Sequence, residues 1–212
     1  MSLILHGYRY SVYLRIVRLV LAEKGLAYDR VEVNPFEAIP AAYLALHPFG
    51  RVPTLVHDDF VLYETGAITR YLDRSFGGPR LQPAEPRALA RLDQIIAIVD
   101  SYGYWPMVRQ VFVHAASRPA TGREGDRDEI ARGLEGAGRT LQAIEALAGP
   151  GPFLVGDAPS LADFHLAAMV AYFTAAPQGA EALGRHPRLA AWWSAMQQRP
   201  SLAATDPGMP DR

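Results

Sequence analysis

The sequence contains no cysteine. That excludes disulfides, thiolate metal sites, a cysteine nucleophile and a Cys-x-x-Cys redox pair. Any thiol chemistry must therefore use a thiol brought by a substrate or cofactor, and no metal site is expected. An excess of either charge is also lacking: 21 Lys and Arg stand against 22 Asp and Glu. General binding to nucleic acid or to an anionic membrane has no electrostatic support. Long apolar runs are missing too; none approaches the roughly 18 residues of a spanning helix. The first residues, Met-Ser-Leu-Ile-Leu-His, enter a strand pattern at once, without a basic-then-apolar leader. The expected compartment is the cytoplasm.

What is present is an ordinary globular balance, 50% apolar and 20% charged over 212 residues. That length allows one large domain or two small ones. The most informative stretch is 49–71. A Gly50-Arg51-Val52-Pro53 turn leads into an apolar run. Asp58-Asp59 interrupts that run as a hairpin turn does. A second apolar run ends at Glu64-Thr65, where a helical pattern begins. The bond before Pro53 is free to be cis, since the penalty at X-Pro is only about 0.5–1 kcal/mol. A strand entered through such a turn opens the backbone N–H and C=O of Val52 to a peptide-like guest. Glu64-Thr65 at a helix start offers free N–H groups, a hydroxyl and a carboxylate. Together these groups suit a small molecule that carries both an ammonium and a carboxylate.

Taken in order, 3–7 reads as a short buried strand and 8–11 as a loop. Ser11 stands where a helix N-cap would, before a helical pattern over 12–24 that Gly25 ends. Residues 27–33 alternate as a half-buried strand, and 41–46 form a short helix before Pro48. The hairpin follows, then a helix from Thr65 to about Phe76. The pattern over 1–78 is thus β-α-β-(short α)-β-β-α. The first pair of strands flanks a crossover helix and should be parallel; the last pair shares a tight turn and should be antiparallel. Residues 79–86 read as a linker. Beyond it no strand pattern occurs: helices are expected over 87–116 with a kink at Pro106, 128–147, 160–175 and 187–198. Domain boundaries are therefore expected at 1–78 and 87–212. Ser160-Leu-Ala-Asp163 has the form of a capping box, and Trp192-Trp193 read as core.

Five runs carry a family resemblance: Arg18-Leu-Val-Leu-Ala-Glu-Lys-Gly25, Leu46-His-Pro-Phe-Gly-Arg-Val-Pro-Thr-Leu55, Tyr63-Glu-Thr-Gly-Ala-Ile-Thr-Arg-Tyr-Leu72, Val155-Gly-Asp-Ala-Pro-Ser-Leu-Ala-Asp163 and His186-Pro-Arg-Leu-Ala-Ala-Trp192. In this order and spacing the chain resembles the cytosolic glutathione transferases over nearly its whole length, and bacterial serine-type members in particular. The resemblance implies a thioredoxin-like N-terminal domain with a mixed four-stranded sheet and an all-helical C-terminal domain. It also implies a glutathione site on the first, a hydrophobic co-substrate site between the two, a homodimer and a role in detoxification. Periodicity alone reads only α/β plus α.

By that resemblance Ser11 donates a hydroxyl to the glutathione thiolate, with Tyr8 and Tyr10 as alternatives. Tyrosine-type members place a tyrosine at the end of the first strand, where a gapless match here puts Gly7. Val52 pairs its backbone with the cysteinyl part, exposed by a cis Pro53. Glu64 and Thr65 hold the γ-glutamyl ammonium and carboxylate. Thr65 stands where the family usually has serine, and keeps the hydroxyl. Arg51 reaches a carboxylate or the cysteinyl carbonyl, and Asp100 reaches the glutathione amine across a dimer. Tyr102, Trp105, Val108 and Phe112 line the co-substrate pocket. The basic residue that related chains use for the glycine carboxylate is missing near Ala38-Ile39, and His47 lies closer to the turn as a helix-end histidine.

The expected function is transfer of glutathione to a hydrophobic electrophile. A glutathione-dependent isomerase or peroxidase is one alternative. The isomerase branch resembles Ser-Ser-Cys at the first helix start, where this chain has Ser11-Val12-Tyr13. A non-catalytic binding or scaffold protein of the same fold is the other. An intact Val52-Pro53 and Glu64-Thr65 weigh against it.

Overall fold

Alternation of buried and half-buried residues makes Leu3–Gly7 (β1) a strand with one face packed inward. Val12–Glu23 (α1) follows, capped by Ser11. Leu14, Ile16, Val17, Leu19, Val20 and Leu21 bury its apolar side completely. Gly25, at φ +64, ends it in the left-handed region where a side chain is disfavoured. The structure, a computed structural model, describes residues 2–210. Asp29–Glu32 (β2), Ala41–Leu44 (α2), Thr54–His57 (β3), Phe60–Tyr63 (β4) and Thr65–Ser75 (α3) complete the N-terminal pattern. β2 is shorter than the expected 27–33, and all its residues are exposed.

The sheet order is β2-β1-β3-β4. β1 and β2 are parallel, and β3 runs antiparallel to both β1 and β4. Register fixes what meets at one end. His6 pairs with Val31 and with Thr54, and Thr54 pairs with Tyr63. The loop after β1, the turn before β3 and the segment after β4 therefore leave the sheet at the same end.

The chain divides into two compact units. The first runs to Arg80 and takes in Ala204–Pro207; the second spans Leu81–Ala203. The return of Ala204–Pro207 to the first unit lies outside the boundaries read from the sequence.

The second unit is helical: Pro86–Ile98 (α4), Arg118–Ala120 (α5), Arg127–Leu147 (α6), Leu161–Phe173 (α7), Pro177–Gly184 (α8), Pro187–Gln197 (α9) and Pro200–Ala204 (α10). Between α4 and α5 the backbone widens into π-helical turns over Val99–Gly103 and Trp105–Ser117. Pro106, where a kink is expected, stands near the start of the second stretch. Proline has no N–H, and its ring crowds the carbonyl four residues back. That carbonyl, of Tyr102, accepts the Thr140 hydroxyl at 3.0 Å. α6 approaches this stretch closely. A Cβ on Gly133 would stand 2.9 Å from Pro106 O, so only glycine allows the contact.

α7 is buried on nearly every side and forms the centre of this unit. Asp163, fully buried in its first turn, gathers the surrounding chain. Its Oδ1 accepts from Leu154 N (2.9 Å) and Trp192 Nε1 (2.8 Å). Its Oδ2 accepts from Ser160 N (2.8 Å) and Ser160 Oγ (2.7 Å). The capping box read from the sequence is thus present, and it also fixes α9. Trp192 and Trp193 are buried, as expected. α8 and α10 were not expected.

Candidate functional site

At the shared end of the sheet, the loop 8–11 closes on itself through Ser11 N donating to Tyr8 O at 2.8 Å. Ser11 then caps α1, its Oγ accepting from Leu14 N at 3.3 Å. The cap uses a lone pair of that oxygen and leaves its proton to donate. Among the described residues no acceptor takes that proton. An anion placed there faces both a hydroxyl donor and the positive end of a helix whose first turn holds no acidic residue.

Tyr8 and Tyr10 precede Ser11 in the same loop, edge-to-face at 5.6 Å. Burial pushes the Tyr8 hydroxyl up from its ordinary pKa, and Tyr10, Glu32 and Glu37 push it further. Tyr8 also packs edge-to-face on Phe36 at 5.7 Å.

The turn before β3 is held by a buried tyrosine. Tyr43 Oη donates to Arg51 O at 2.6 Å and shares a hydrogen bond with Thr54 Oγ1 at 2.9 Å. Gly50 takes φ +60 as the turn begins, and the Val52–Pro53 bond is cis. Among the described residues nothing pairs with the Val52 N–H or C=O. Two backbone groups on the rim of a sheet are thus left for a guest. Arg51 is exposed and, among the described residues, has no ion-pair partner.

Glu64 stands at the N-cap of α3 in an unusual backbone conformation, φ +72 and ψ 115, outside the regions ordinary side chains favour. Its carboxylate does not cap the helix. It is exposed and, among the described residues, free of any partner. Thr65, 6% exposed, likewise has a hydroxyl that no described group engages. The backbone is held where a non-glycine residue is disfavoured, yet the side chain is not used for the fold. Such a combination is found where function sets the residue.

His47 lies behind this rim, 2% exposed and stacked on Tyr63 at 4.6 Å. Burial lowers its pKa, with Glu64 opposing that shift and Arg51 adding to it. Its Nδ1 has no partner among the described residues. No basic side chain stands at Ala38 or Ile39.

Ser11, Tyr8, Tyr10, Arg51, Val52, Pro53, Glu64 and Thr65 are therefore assembled at one end of one sheet. The remaining sequence-derived residues lie in the helical unit. Asp100 Oδ1 is 3.3 Å from Nδ1 of the buried His165. Tyr102 and Trp105 are exposed at 67% and 60%, whereas Val108 and Phe112 are buried. Phe112 packs edge-to-face on Tyr172 at 4.8 Å. The π-helical stretch thus holds the four in two environments rather than one. Among the described residues no cluster of metal-binding side chains occurs, and no helix is long and apolar enough to cross a membrane.

Residues 5–80 match the family model described as glutathione S-transferase, N-terminal domain, and residues 127–192 match glutathione S-transferase, C-terminal domain. Glutathione S-transferase 3 of Zea mays is 32% identical over 97% of this chain and 94% of its own length. The solved structure of glutathione S-transferase III in its apo form superposes with a TM-score of 0.85 at 29% identity, covering 100% of this chain and 99% of the other. A glutathione S-transferase-I structure bound with lactoylglutathione gives 0.83 at 26% identity, covering 97% and 98%. With this agreement in both halves, the chain belongs to the glutathione S-transferase family.

Proposed function

We propose that the protein is a serine-type glutathione transferase in which Ser11 activates the thiol. The observation that carries this reading is the convergence, at one sheet end, of groups the fold leaves unused. These are the Ser11 hydroxyl proton, the Val52 N–H and C=O, and the Glu64 carboxylate with the Thr65 hydroxyl. Their chemistry is complementary to glutathione. The carboxylate takes the γ-glutamyl ammonium. The start of α3 with Thr65 takes the γ-glutamyl carboxylate. Val52 pairs with the cysteinyl amide as a neighbouring strand would. Arg51 is free to reach the cysteinyl carbonyl or a carboxylate.

The thiol of glutathione is a poor nucleophile at neutral pH because little of it is ionised. Ser11 donates to the sulfur and stabilises the thiolate, and the proton passes to solvent. The thiolate attacks an electrophilic carbon, forms a C–S bond and expels the leaving group with its electron pair. A charge-assisted hydrogen bond contributes about 1.5–3 kcal/mol and a helix N-terminus up to about 1. Together they lower the thiol pKa by roughly two to three units. The hydrophobic electrophile, Asp100 acting across a homodimer, the cytoplasmic location and a detoxifying role belong to the same reading.

Glu64→Gly separates binding from folding. Glycine accepts the backbone conformation at φ +72 without strain, so the variant should be more stable by about 1 kcal/mol in urea unfolding. Without the carboxylate, its affinity for glutathione should fall at least about tenfold, as for a lost charge-assisted pair, and it should wash off immobilised glutathione. Equal retention of variant and wild type would rule out Glu64 as the ammonium partner. Failure of the wild-type protein to bind at all would favour a scaffold.

A further inference from the structure

The segment Ala204–Pro207 lies along α1 in a definite order. Arg18 donates through Nη1 to Thr205 O (3.0 Å) and through Nη2 to Ala204 O (3.4 Å). Arg15 Nη2 is 3.9 Å from Asp206 Oδ2. Arg9 Nη2 donates to Pro207 O at 3.1 Å. As the segment advances, its partners step back from residue 18 to 15 to 9. It therefore runs antiparallel to α1 and ends on the loop 8–11. Thr205 and Pro207 are buried, with Asp206 exposed between them.

Arg9 is consequently held on both sides. Its backbone N–H donates to Glu32 Oε1 at 2.8 Å, and its guanidinium reaches the segment while standing 5.2 Å over the Tyr10 ring. Ser11 follows two positions later. The loop itself is short, and within it Ser11 N donates to Tyr8 O.

We propose that Ala204–Pro207 is a strap that, through Arg9, positions the thiol-activating hydroxyl; Arg9 and Arg18 are positioning residues. The inference rests on the function proposed above. A hydroxyl lowers a thiol pKa only when its O–H is aimed at the sulfur, and a loop free to shift by about an ångström loses much of that effect. The strap joins the middle of α1, at Arg18, to this loop, so it resists such a shift.

The test uses full-length Arg9→Ala, Arg9→Lys and Arg18→Ala. It measures kcat, KM for glutathione, and the pKa of the bound thiol from thiolate absorbance. Arg9 is exposed, and thermal melts verify that its variants remain folded. Arg9→Ala should lower kcat about tenfold and raise the thiol pKa, with KM for glutathione within about twofold. Arg9→Lys should recover part of the loss, because an ammonium still donates to a carbonyl. Arg18→Ala should shift the thiol pKa in the same direction by a smaller amount. In a Ser11→Ala background, Arg9→Ala should add less than about a twofold loss, since both act through one group.

The proposal is overturned by an unchanged thiol pKa in Arg9→Ala, by a change in KM alone, or by equal losses in both backgrounds. A wild-type thiol pKa in Arg18→Ala would also overturn the strap's part, leaving only the direct field of the Arg9 charge. The Ser11 assignment fails separately, if Ser11→Ala alone leaves the thiol pKa unchanged. A shift in Arg9→Ala would then mean that the strap positions Tyr8 or Tyr10 in the same loop.

Discussion

Asp163→Ala should lose about 3–5 kcal/mol of stability, the usual result of removing one partner from a buried, charged hydrogen-bond cluster. The carboxylate accepts from Leu154 N, Trp192 Nε1, Ser160 N and Ser160 Oγ. Alanine leaves three of these donors without an acceptor in a dry environment; only the Ser160 hydroxyl is free to rotate toward another. The effect spreads because the donors belong to separate parts of the chain: the approach to α7, the α7 cap and α9. Burial pushes the Asp163 carboxyl up, and the donors oppose that shift. Removing the carboxylate also removes the cost of burying it, which offsets part of the loss and keeps it below the sum of the hydrogen bonds. For a chain of this size the melting temperature should fall by roughly 10 °C. Asp163→Asn should lie between, because an amide oxygen satisfies Leu154 N and Trp192 Nε1 while its NH2 meets the Ser160 donors. A melting temperature for Asp163→Ala within about 2 °C of wild type would show that the cluster is not what fixes α7 to α9.

Ser11→Ala should lower kcat/KM for glutathione conjugation about 10- to 100-fold, the range of one charge-assisted hydrogen bond. The bound thiol pKa should rise by about one to two units. The change also removes the acceptor for Leu14 N, so a stability loss of about 1 kcal/mol should accompany it. That loss is too small to unfold the chain, which separates the two consequences. Ser11→Thr keeps the hydroxyl and the cap and should retain most of the activity. The same variant reads the rival hydroxyls. If Tyr8→Phe raises the thiol pKa while Ser11→Ala does not, the activating group is Tyr8.

Most of the N-terminal architecture is legible because it rests on local signals. The apolar run to Gly7, the cap at Ser11, Gly25 after the helix and the Asp58-Asp59 turn each mark a boundary. The strand directions follow from connection length. The rim of the site is legible for the same reason, as a turn and a helix start adjoining short strands. The freedom of the Glu64 carboxylate is not legible: the sequence reads equally as a helix cap, and only the backbone at φ +72 separates the two.

Other features depend on contacts distant in sequence. α8 has eight residues rich in alanine and glycine, too short for periodicity to show. Gly179 within it packs so closely that a Cβ would stand 2.0 Å from Phe173 O. The π-helical turns leave only Pro106 as a mark in the sequence. The strap has no local signal at all. Its partners are arginines nearly the whole chain away, Arg9 in a loop and Arg18 on α1, whose apolar spacing explains only its buried side.

A crystal structure with glutathione bound tests the central claim most directly. The sulfur should lie about 3 Å from Ser11 Oγ, the usual distance of a strong hydrogen bond. The cysteinyl backbone should lie against the Val52 N–H and C=O, and the γ-glutamyl ammonium on Glu64. A sulfur resting on the Tyr8 or Tyr10 hydroxyl, with Ser11 occupied only by the Leu14 N–H, would contradict it.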